Sequence, residues 1–187
     1  MVEDKLLIMK FAQGSQEALR EIYDRYKLAM LKLAVVLVGD VNTAEDIVHD
    51  IFVKLAQSGN QLRPVGSLKS YLFTCVANRV RNRIRDTARH EETALDQADS
   101  SPCSQPGPHH WAILSEQLVA LSEAMKQLPY EQREVVCFHV EAGLSLAEIA
   151  ALQKTSVNTV KGRYRYGIEK LRSLLDSEVE TCNPQTE

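Results

Sequence analysis

Apolar residues recur at intervals of three or four along nearly the whole 187-residue chain, which is the spacing of amphipathic helices. The clearest run follows one helix face and consists of Leu19, Ile22, Tyr23, Tyr26, Met30, Leu33 and Leu37. Ser15 is placed to cap this helix, and Gly39 to end it. No segment worth naming has the two-residue period of a strand, so the sequence predicts an all-α fold.

One segment interrupts the helical pattern and divides the chain. Residues 90–110 contain three of the six prolines, four acidic residues and several serines and glutamines. This composition is typical of a flexible linker. We therefore predict two small helical domains, residues 1–89 and residues 111–187, joined by this linker, with a short polar tail at the C-terminal end.

The charges are distributed unevenly along the chain. The formal net charge is -3, from 22 basic and 25 acidic side chains, which excludes a uniformly basic protein. Residues 63–89 nevertheless hold seven basic residues and one acid, and residues 152–172 hold six basic residues and one acid. Together these segments carry a formal charge of +11, and the rest of the chain carries −14. Two positive surfaces on an acidic protein do not exclude nucleic-acid binding.

The sequence start and the cysteines predict a cytoplasmic protein. MVEDKLLIMKF lacks the basic start and cleavage site of a signal peptide, and no apolar run is long enough to span a membrane. Cys75, Cys103, Cys137 and Cys182 are too far apart to indicate a disulfide framework or a metal site. The five histidines have no metal-ligand spacing. We expect no cofactor, no metal and no catalytic residue, since the common enzyme motifs are missing.

Residues 145–171 have the pattern of a helix-turn-helix. Ser145 and Glu148 form a capping box at the start of a short helix, and Ser156 caps a longer basic helix after a polar break. The early polar surface of the second helix consists of Ser156, Asn158, Thr159, Lys161, Arg163, Arg165 and Tyr166. Because the first turns of such a helix read base edges in the major groove, the pattern predicts DNA binding. The alternative is a helix whose charges only solvate it.

A second basic segment lies in the first domain, at residues 71–89. Its five arginines cover a broad sector of the predicted helix and make a surface that attracts a phosphate backbone. Tyr71, near the start, is expected either to stack on a base or to pack in the core. The loop predicted at residues 58–67 comes just before, and its Asn60, Gln61 and Arg63 have polar groups suited to an unstacked base.

The helix predicted at residues 42–55 is acidic on one side and apolar on the other. Glu45, Asp46 and Asp50 form the acidic side, and Asn42 is the predicted N-cap. Taken alone, this pattern indicates no more than a solvated helix face, because charged residues on an amphipathic helix usually serve that purpose.

The order of these motifs resembles the sigma-70 family of bacterial RNA polymerase initiation factors, in particular its small extracytoplasmic-function type. The resemblance covers residues 11–175 and is carried by FAQGSQEALREIYDRY, AEDIVHDIFVKL, SLKSYLFTCVANRVRNRIR and LPYEQREVVCFHVEAGLSLAEIAALQKTSVNTVKGRYRYGIEKLR. It implies that residues 1–89 are sigma region 2 and residues 111–187 are sigma region 4. It also implies a sigma factor that directs promoter recognition and transcription initiation.

The resemblance further implies a role for each set of residues. Docking on the β′ clamp helices of core RNA polymerase is implied for Asp46, His49, Asp50 and Phe52. Recognition and melting of the minus-10 element is implied for Asn60, Arg63, Tyr71, Asn78, Arg79, Asn82 and Arg83. The helix-turn-helix is implied to read the minus-35 element of promoter DNA, and region 4 to contact the β flap. An anti-sigma partner, where one exists, is expected to cover the two basic surfaces.

Four positions depart from the usual family residue. Tyr71 stands in place of Trp, His49 in place of Gln, and Asn82 in place of Asp. Lys154 occupies a turn position that is usually Gly, and it is expected to adopt a positive φ or to change the turn. Two other functions stay open: a stand-alone helix-turn-helix regulator that binds duplex DNA as a dimer, and an adaptor that binds only proteins. The regulator explains the C-terminal half but leaves the first domain unexplained.

Overall fold

In the computed structural model, the described residues are 2–58, 67–93 and 116–181. They form eight α-helices and no strand, which confirms the predicted all-α class. The helices are α1 (Val2–Ala12), α2 (Gln16–Val38), α3 (Val41–Ser58), α4 (Leu68–Thr93), α5 (Glu116–Lys126), α6 (Tyr130–Val140), α7 (Leu146–Gln153) and α8 (Val157–Thr181). The chain divides into two compact units, Met1–Ser115 and Glu116–Glu187. None of the described helices is long and apolar enough to cross a membrane.

The basic helix is longer than the sequence predicted. α4 continues to Thr93, so the first four residues of the predicted linker, 90–93, are helical. The extension is understandable, because no proline or glycine follows Arg89 until Pro102, and Glu91 and Glu92 are good helix formers. The rest of the predicted linker, residues 94–110, and most of the predicted loop, residues 59–66, lie outside the described residues.

Unit 1 is built around α2, which packs against α1, α3 and α4. Ile22, Met30 and Leu37 of α2 are buried on its inner face. From α4, Leu72 and Val76 are fully buried against the same core. Each large apolar side chain removed from water contributes about 1.5–3 kcal/mol. This core holds α3 and α4 next to each other, and the two helices also contact one another directly.

Side-chain caps and left-handed glycines set the helix ends of unit 1. Ser15 caps α2 and Gly39 ends it with φ 82°, both as predicted. The predicted N-cap of α3, Asn42, is wrong, because Asp40 Oδ2 accepts the hydrogen bond from the Thr43 N–H at 2.7 Å. Asp40 directly follows the helix-ending glycine, and α3 already begins at Val41. Asn42 is therefore inside the helix and cannot be its N-cap.

A polar contact ties α1 to α2. The Tyr26 hydroxyl donates to Asp4 Oδ1 at 2.8 Å, and Arg25 Nη1 donates to the same oxygen at 3.2 Å. Burial, together with the hydrogen bond to Asp4, raises the pKa of Tyr26 to about 12. The hydroxyl therefore keeps its proton at neutral pH and stays a hydrogen-bond donor to α1.

Unit 2 is built around α8, which contacts α5, α6 and α7. Phe138 of α6, Ile149 of α7 and Val160 of α8 are fully buried at its centre. Gly167 allows α6 and α8 to approach closely, because a Cβ at this position would lie 3.1 Å from Cγ2 of Val136. The position of α8 is thus fixed by packing along its whole inner face.

The cysteines differ in burial. Cys137 is buried on α6, and burial raises the pKa of its thiol to about 12. Cys75 on α4 is half-buried, and both are free thiols. Cys137 is therefore shielded from solvent, whereas Cys75 is partly open to it. Cys103 and Cys182 lie outside the described residues.

Asp40→Ala is expected to lower the free energy of unfolding by about 1 kcal/mol, because it leaves the first turn of α3 without its cap. Asp40→Asn is the matched control, since the amide oxygen can accept the same hydrogen bond from the Thr43 N–H. Urea unfolding of the full chain compares the two variants. An equal loss in both variants, or no loss in either, would show that Asp40 is not the cap.

Candidate nucleic-acid interface

The helix-turn-helix is formed by α7, a short turn and α8. The Ser145 side chain accepts from the Glu148 N–H at 3.3 Å, and the Glu148 carboxylate accepts from the Ser145 N–H at 2.8 Å. The hydrogen bonds from Ser145 lower the pKa of Glu148, which favours its charged form. Ser156 caps α8 by accepting from the Thr159 N–H at 3.0 Å. Both predicted caps are confirmed.

Lys154 provides the left-handed residue that the turn requires. It has φ 52° and ψ 44°, which confirms the expected positive φ. Its backbone N–H donates to the carbonyl oxygens of Ala150 and Ala151. This conformation costs a residue other than glycine about 1 kcal/mol. Interactions elsewhere in the unit have to offset that cost.

α8 has a buried face and a polar face on opposite sides. Val160, Gly167 and Leu171 are buried against the rest of the unit. The exposed residues among those predicted for DNA binding on α8 are Asn158, Thr159, Lys161, Arg165 and Tyr166. Within this exposed set, the guanidinium of Arg165 lies 4.9 Å from the centre of the Tyr166 ring. A cation and an aromatic ring side by side suit both phosphates and bases.

Arg163 has a different environment from the other predicted DNA-binding residues. Its Nη1 donates to Oε1 of Gln153 at 2.6 Å, and Nε2 of Gln153 donates to the Glu134 carboxylate at 2.8 Å. Glu134 is buried on α6. Glu134, Gln153 and Arg163 therefore form a polar chain that links α6, α7 and α8. Arg163 thus helps to position α8 within the unit, and its predicted place among the base-reading residues stays a prediction.

Sequence reasoning missed Glu134 and Gln153. The available signal was the position of Glu134 directly before the apolar run Val135–Phe138, since a carboxylate is rarely buried without a partner. The partner was not visible, because Gln153 is 19 residues away along the chain and meets Glu134 only after α6 and α7 pack together.

In unit 1, the residues predicted to dock on polymerase separate into exposed and buried ones. Asp46 and His49 are exposed on α3 and border a cleft of about 360 Å³ between α2 and α3. Tyr23 and Lys27 of α2 line the same cleft. Phe52 is instead buried, and its ring packs edge-on against Tyr23 with centroids 4.8 Å apart. Its ring belongs to the core, and its predicted place on the docking face stays a prediction.

Asp50 and Arg79 form an ion pair between α3 and α4. The two side chains are 44% and 40% exposed, so solvent screens the pair and its own contribution to stability is small. Asp50 was predicted to contact polymerase and Arg79 to contact the minus-10 element. The ion pair brings these two predicted surfaces together at one seam.

A groove of about 310 Å³ lies along that seam, between α3 and α4. It is lined on the α4 side by Tyr71, Leu72, Cys75, Asn78, Arg79 and Asn82. Tyr71 is half-buried, and its hydroxyl is hydrogen-bonded to the Cys75 thiol. Burial raises the pKa of both groups, so both stay neutral at physiological pH. Tyr71 is thus partly packed and partly open to the groove, and its predicted role in stacking on a base stays a prediction.

Three predicted minus-10 residues of α4 are open to solvent, and two of them also line the groove. Asn78, Asn82 and Arg83 are exposed. Arg81 Nη1 donates to Asn78 Oδ1 at 3.1 Å, and Arg85 Nη2 donates to Asn82 Oδ1 at 2.8 Å. These arginines orient the two amides while keeping the surface positive.

Two predicted minus-10 residues, Asn60 and Arg63, lie outside the described residues.

Among the residues that the structure does describe, no group of three or more His, Cys, Asp or Glu side chains is arranged to hold a metal ion. His139 has a structural contact, since its Nδ1 is hydrogen-bonded to the Leu144 carbonyl at 2.8 Å.

Comparison with known proteins gives consistent matches along the chain. The sequence matches the family models for sigma-70 region 2 over residues 22–90 and sigma-70 region 4 over residues 118–171. It is 26% identical over 184 residues to the RNA polymerase sigma factor CnrH of Cupriavidus metallidurans, covering 95% of this chain and 96% of CnrH. It is 30% identical over 169 residues to the ECF RNA polymerase sigma factor SigL of Mycobacterium tuberculosis, covering 88% of this chain and 92% of SigL.

Solved structures show the same fold. The structure of CnrH in complex with the cytosolic domain of CnrY matches with a TM-score of 0.64 at 25% identity, covering 93% of this chain and 97% of that one. The sigma factor RpoE, in complex with the anti-sigma factor NepR from Bartonella quintana, matches with a TM-score of 0.64 at 23% identity. That match covers 84% of this chain and 98% of RpoE.

Gln153→Ala is expected to lower the free energy of unfolding by about 1–3 kcal/mol, because it removes a hydrogen-bond partner of buried Glu134. Arg163→Ala is expected to cost less, since Arg163 is at the more exposed end of the polar chain. The double variant should lose less than the sum of the two single losses. Urea unfolding of the full chain measures all three variants, and strictly additive losses would contradict a connected chain.

Proposed function

The chain belongs to the extracytoplasmic-function sigma factors of the sigma-70 family, and we infer that it directs core RNA polymerase to promoters. The matches to region 2 and region 4 in order along one chain carry this inference. We propose that residues 1–89 dock on polymerase and recognise and melt the minus-10 element. Residues 111–187 would recognise the minus-35 element, and residues 90–110 would connect the two functions.

The polar face of α8 supports recognition of the minus-35 element. Its first turns expose Asn158, Lys161 and Arg165, whose side chains suit adenine, guanine and phosphate. The capped N-terminus of α8 also favours a nearby phosphate. In this proposal α8 enters the major groove by its N-terminal half, while Arg163 fixes its orientation from the side.

The groove between α3 and α4 supports capture of a minus-10 base. Unstacking a base costs a few kcal/mol, and stacking on an aromatic ring returns about 1–3 kcal/mol. Tyr71 supplies a ring at the groove, and Asn78 and Asn82 supply amides beside it. Arg79 and Arg83 would hold the backbone phosphates, and Asn60 and Arg63 stay predicted members of this site.

The exposed acidic side of α3 supports polymerase docking. We propose that Asp46 and His49, at the edge of the cleft between α2 and α3, contact the β′ clamp helices. Asp50 would join them from the seam, where it is already paired with Arg79. Region 4 would contact the β flap, as the family resemblance implies.

A stand-alone helix-turn-helix regulator is the weaker alternative, because it requires only unit 2. It leaves the region 2 match over residues 22–90 without a purpose. An adaptor that binds only proteins leaves the polar face of α8 equally unexplained. We propose that the protein acts by binding alone, without catalysis, and in the cytoplasm, where polymerase and chromosome meet.

An inhibitory protein partner also belongs to this proposal. CnrH was solved in complex with the cytosolic domain of CnrY, and it shares 25% identity with this chain. We propose that an anti-sigma partner of this chain covers its two basic surfaces and so prevents both promoter contacts at once.

In vitro transcription tests the proposed function. Purified core polymerase, alone and with the full chain, is given a library of genomic fragments, and the transcript starts are mapped. We expect the chain to create new start sites that share two upstream sequence elements. Binding of duplex DNA by the chain without any new start site would support the stand-alone regulator and overturn the inference.

Asp46→Ala combined with Asp50→Ala is expected to weaken binding to core polymerase by about tenfold or more, since close charge pairs at protein interfaces contribute about 1.5 kcal/mol or more. Duplex DNA binding by unit 2 should be unchanged. Titration of labelled full chain with core polymerase measures the first effect. Glu3→Ala with Glu17→Ala is the matched control, because it removes two acids from unit 1 away from α3. Equal affinities of the two double variants would remove the docking assignment.

A further inference from the structure

Gly162 lies in the interior of α8, where a glycine is unexpected. It is five residues beyond the first residue of a helix that runs from Val157 to Thr181. Apart from its two chain neighbours and the adjacent backbone of α8 itself, no heavy atom of the described residues would lie within 4 Å of a Cβ built at this position. The neighbouring helical glycine differs, because a Cβ at Gly167 would meet Val136 at 3.1 Å.

The two glycines of α8 therefore need different explanations. Packing of α8 on α6 explains Gly167. Nothing that the structure describes requires the absence of a side chain at Gly162, and its backbone has no left-handed φ. Glycine is the least favourable residue in a helix interior after proline. Gly162 therefore lowers the stability of α8, and no packing contact within the described residues compensates for this loss.

The location of Gly162 on α8 suggests a reason for the glycine outside the protein's own packing. Successive residues of a helix are rotated by about 100°, so position 162 is almost directly opposite Val160 and Leu171, which are buried. Gly162 therefore lies at the centre of the polar face, one turn after Asn158 and one turn before Arg165 and Tyr166. The missing side chain leaves a shallow notch in the middle of the proposed minus-35 surface.

We propose that Gly162 is a positioning residue for promoter binding: its notch lets base edges in the major groove approach the backbone of α8. Glycine is the usual residue where a backbone has to come close to a ligand. A side chain at this point would hold the helix away from the groove and lengthen the contacts from Asn158 and Arg165. The inference rests on the proposed function, because it takes α8 as the helix that enters the DNA.

The proposal predicts opposite effects on stability and on binding from one substitution. Gly162→Ala is expected to raise the melting temperature by roughly 4 °C, because alanine is the better helix former. The same variant is expected to bind promoter DNA about fivefold more weakly, the loss typical of one impaired contact. Gly162→Leu should be as stable as Gly162→Ala and bind about tenfold or more weakly, because leucine fills more of the notch.

The experiment uses full-length protein with core polymerase and promoter fragments selected by the wild-type holoenzyme. Half-saturating concentrations are measured on each selected promoter and on the same promoter with its upstream element scrambled. Ser173→Ala is the control, since it improves the helix propensity of α8 about 16 Å from Gly162 along the helix axis. This control should raise the melting temperature slightly and leave promoter binding unchanged.

Each outcome decides the proposal. Weaker binding by both Gly162 variants on intact promoters, with no difference on scrambled ones, supports the notch. Binding of Gly162→Ala and Gly162→Leu at the wild-type level overturns it, whatever their stability. A wild-type holoenzyme that selects no promoter would instead contradict the proposed function, which keeps the two failures distinguishable.

Discussion

One long helix in each unit has to serve a core and an outer surface with a single set of helix positions. In unit 2, α8 buries Val160, Gly167 and Leu171, and this choice of inner positions determines which residues face outward. In unit 1, α2 plays the same part and places Tyr23 and Lys27 beside α3. The outer surface of each unit is therefore a consequence of its core packing. Within a unit, a shift of the long helix would move its buried residues and its outward-facing residues together.

The helix-turn-helix combines a strained turn with a buried charge. Lys154 is held in a left-handed conformation, and Glu134 is a carboxylate in the core. Gln153, the residue just before the turn, contacts both Glu134 and Arg163. A buried carboxylate without partners would be costly. Satisfying it through the turn makes the unit most stable in one arrangement of α7 and α8, so the same interaction supports the fold and orients the polar face.

Features with a local cause were predictable from the sequence. Ser145 and Ser156 act as caps on the N–H groups three residues later, and Lys154 stands where the turn needs a positive φ. Asp40 was missed although its position after Gly39 made it available, because Asn42 also fits a capping pattern. The burial of Phe52 also has a local cause, because its spacing from Leu55 places both on the apolar side of α3.

Contacts between distant segments were not predictable. The Arg163 contact depends on Gln153, and the Asp50 contact on Arg79, and neither pairing follows from spacing along the chain. From the sequence alone, Arg163 and Asp50 were predicted to be surface charges available to DNA or polymerase. Their partners became visible only once the helices were packed, which is why the sequence identified the surfaces better than the role of each side chain on them.

The ion pair between Asp50 and Arg79 has an evolutionary consequence. Under the proposed roles, the residues on the polar face of α8 can diverge singly, so new upstream specificity can arise by small steps. At the seam between α3 and α4, a substitution of Asp50 or of Arg79 also removes the ion-pair partner of the other residue. One change there therefore affects both residues. Under the same proposed roles, polymerase compatibility and downstream promoter preference would be inherited together, and paired substitutions at these two positions are the expected signature among descendants.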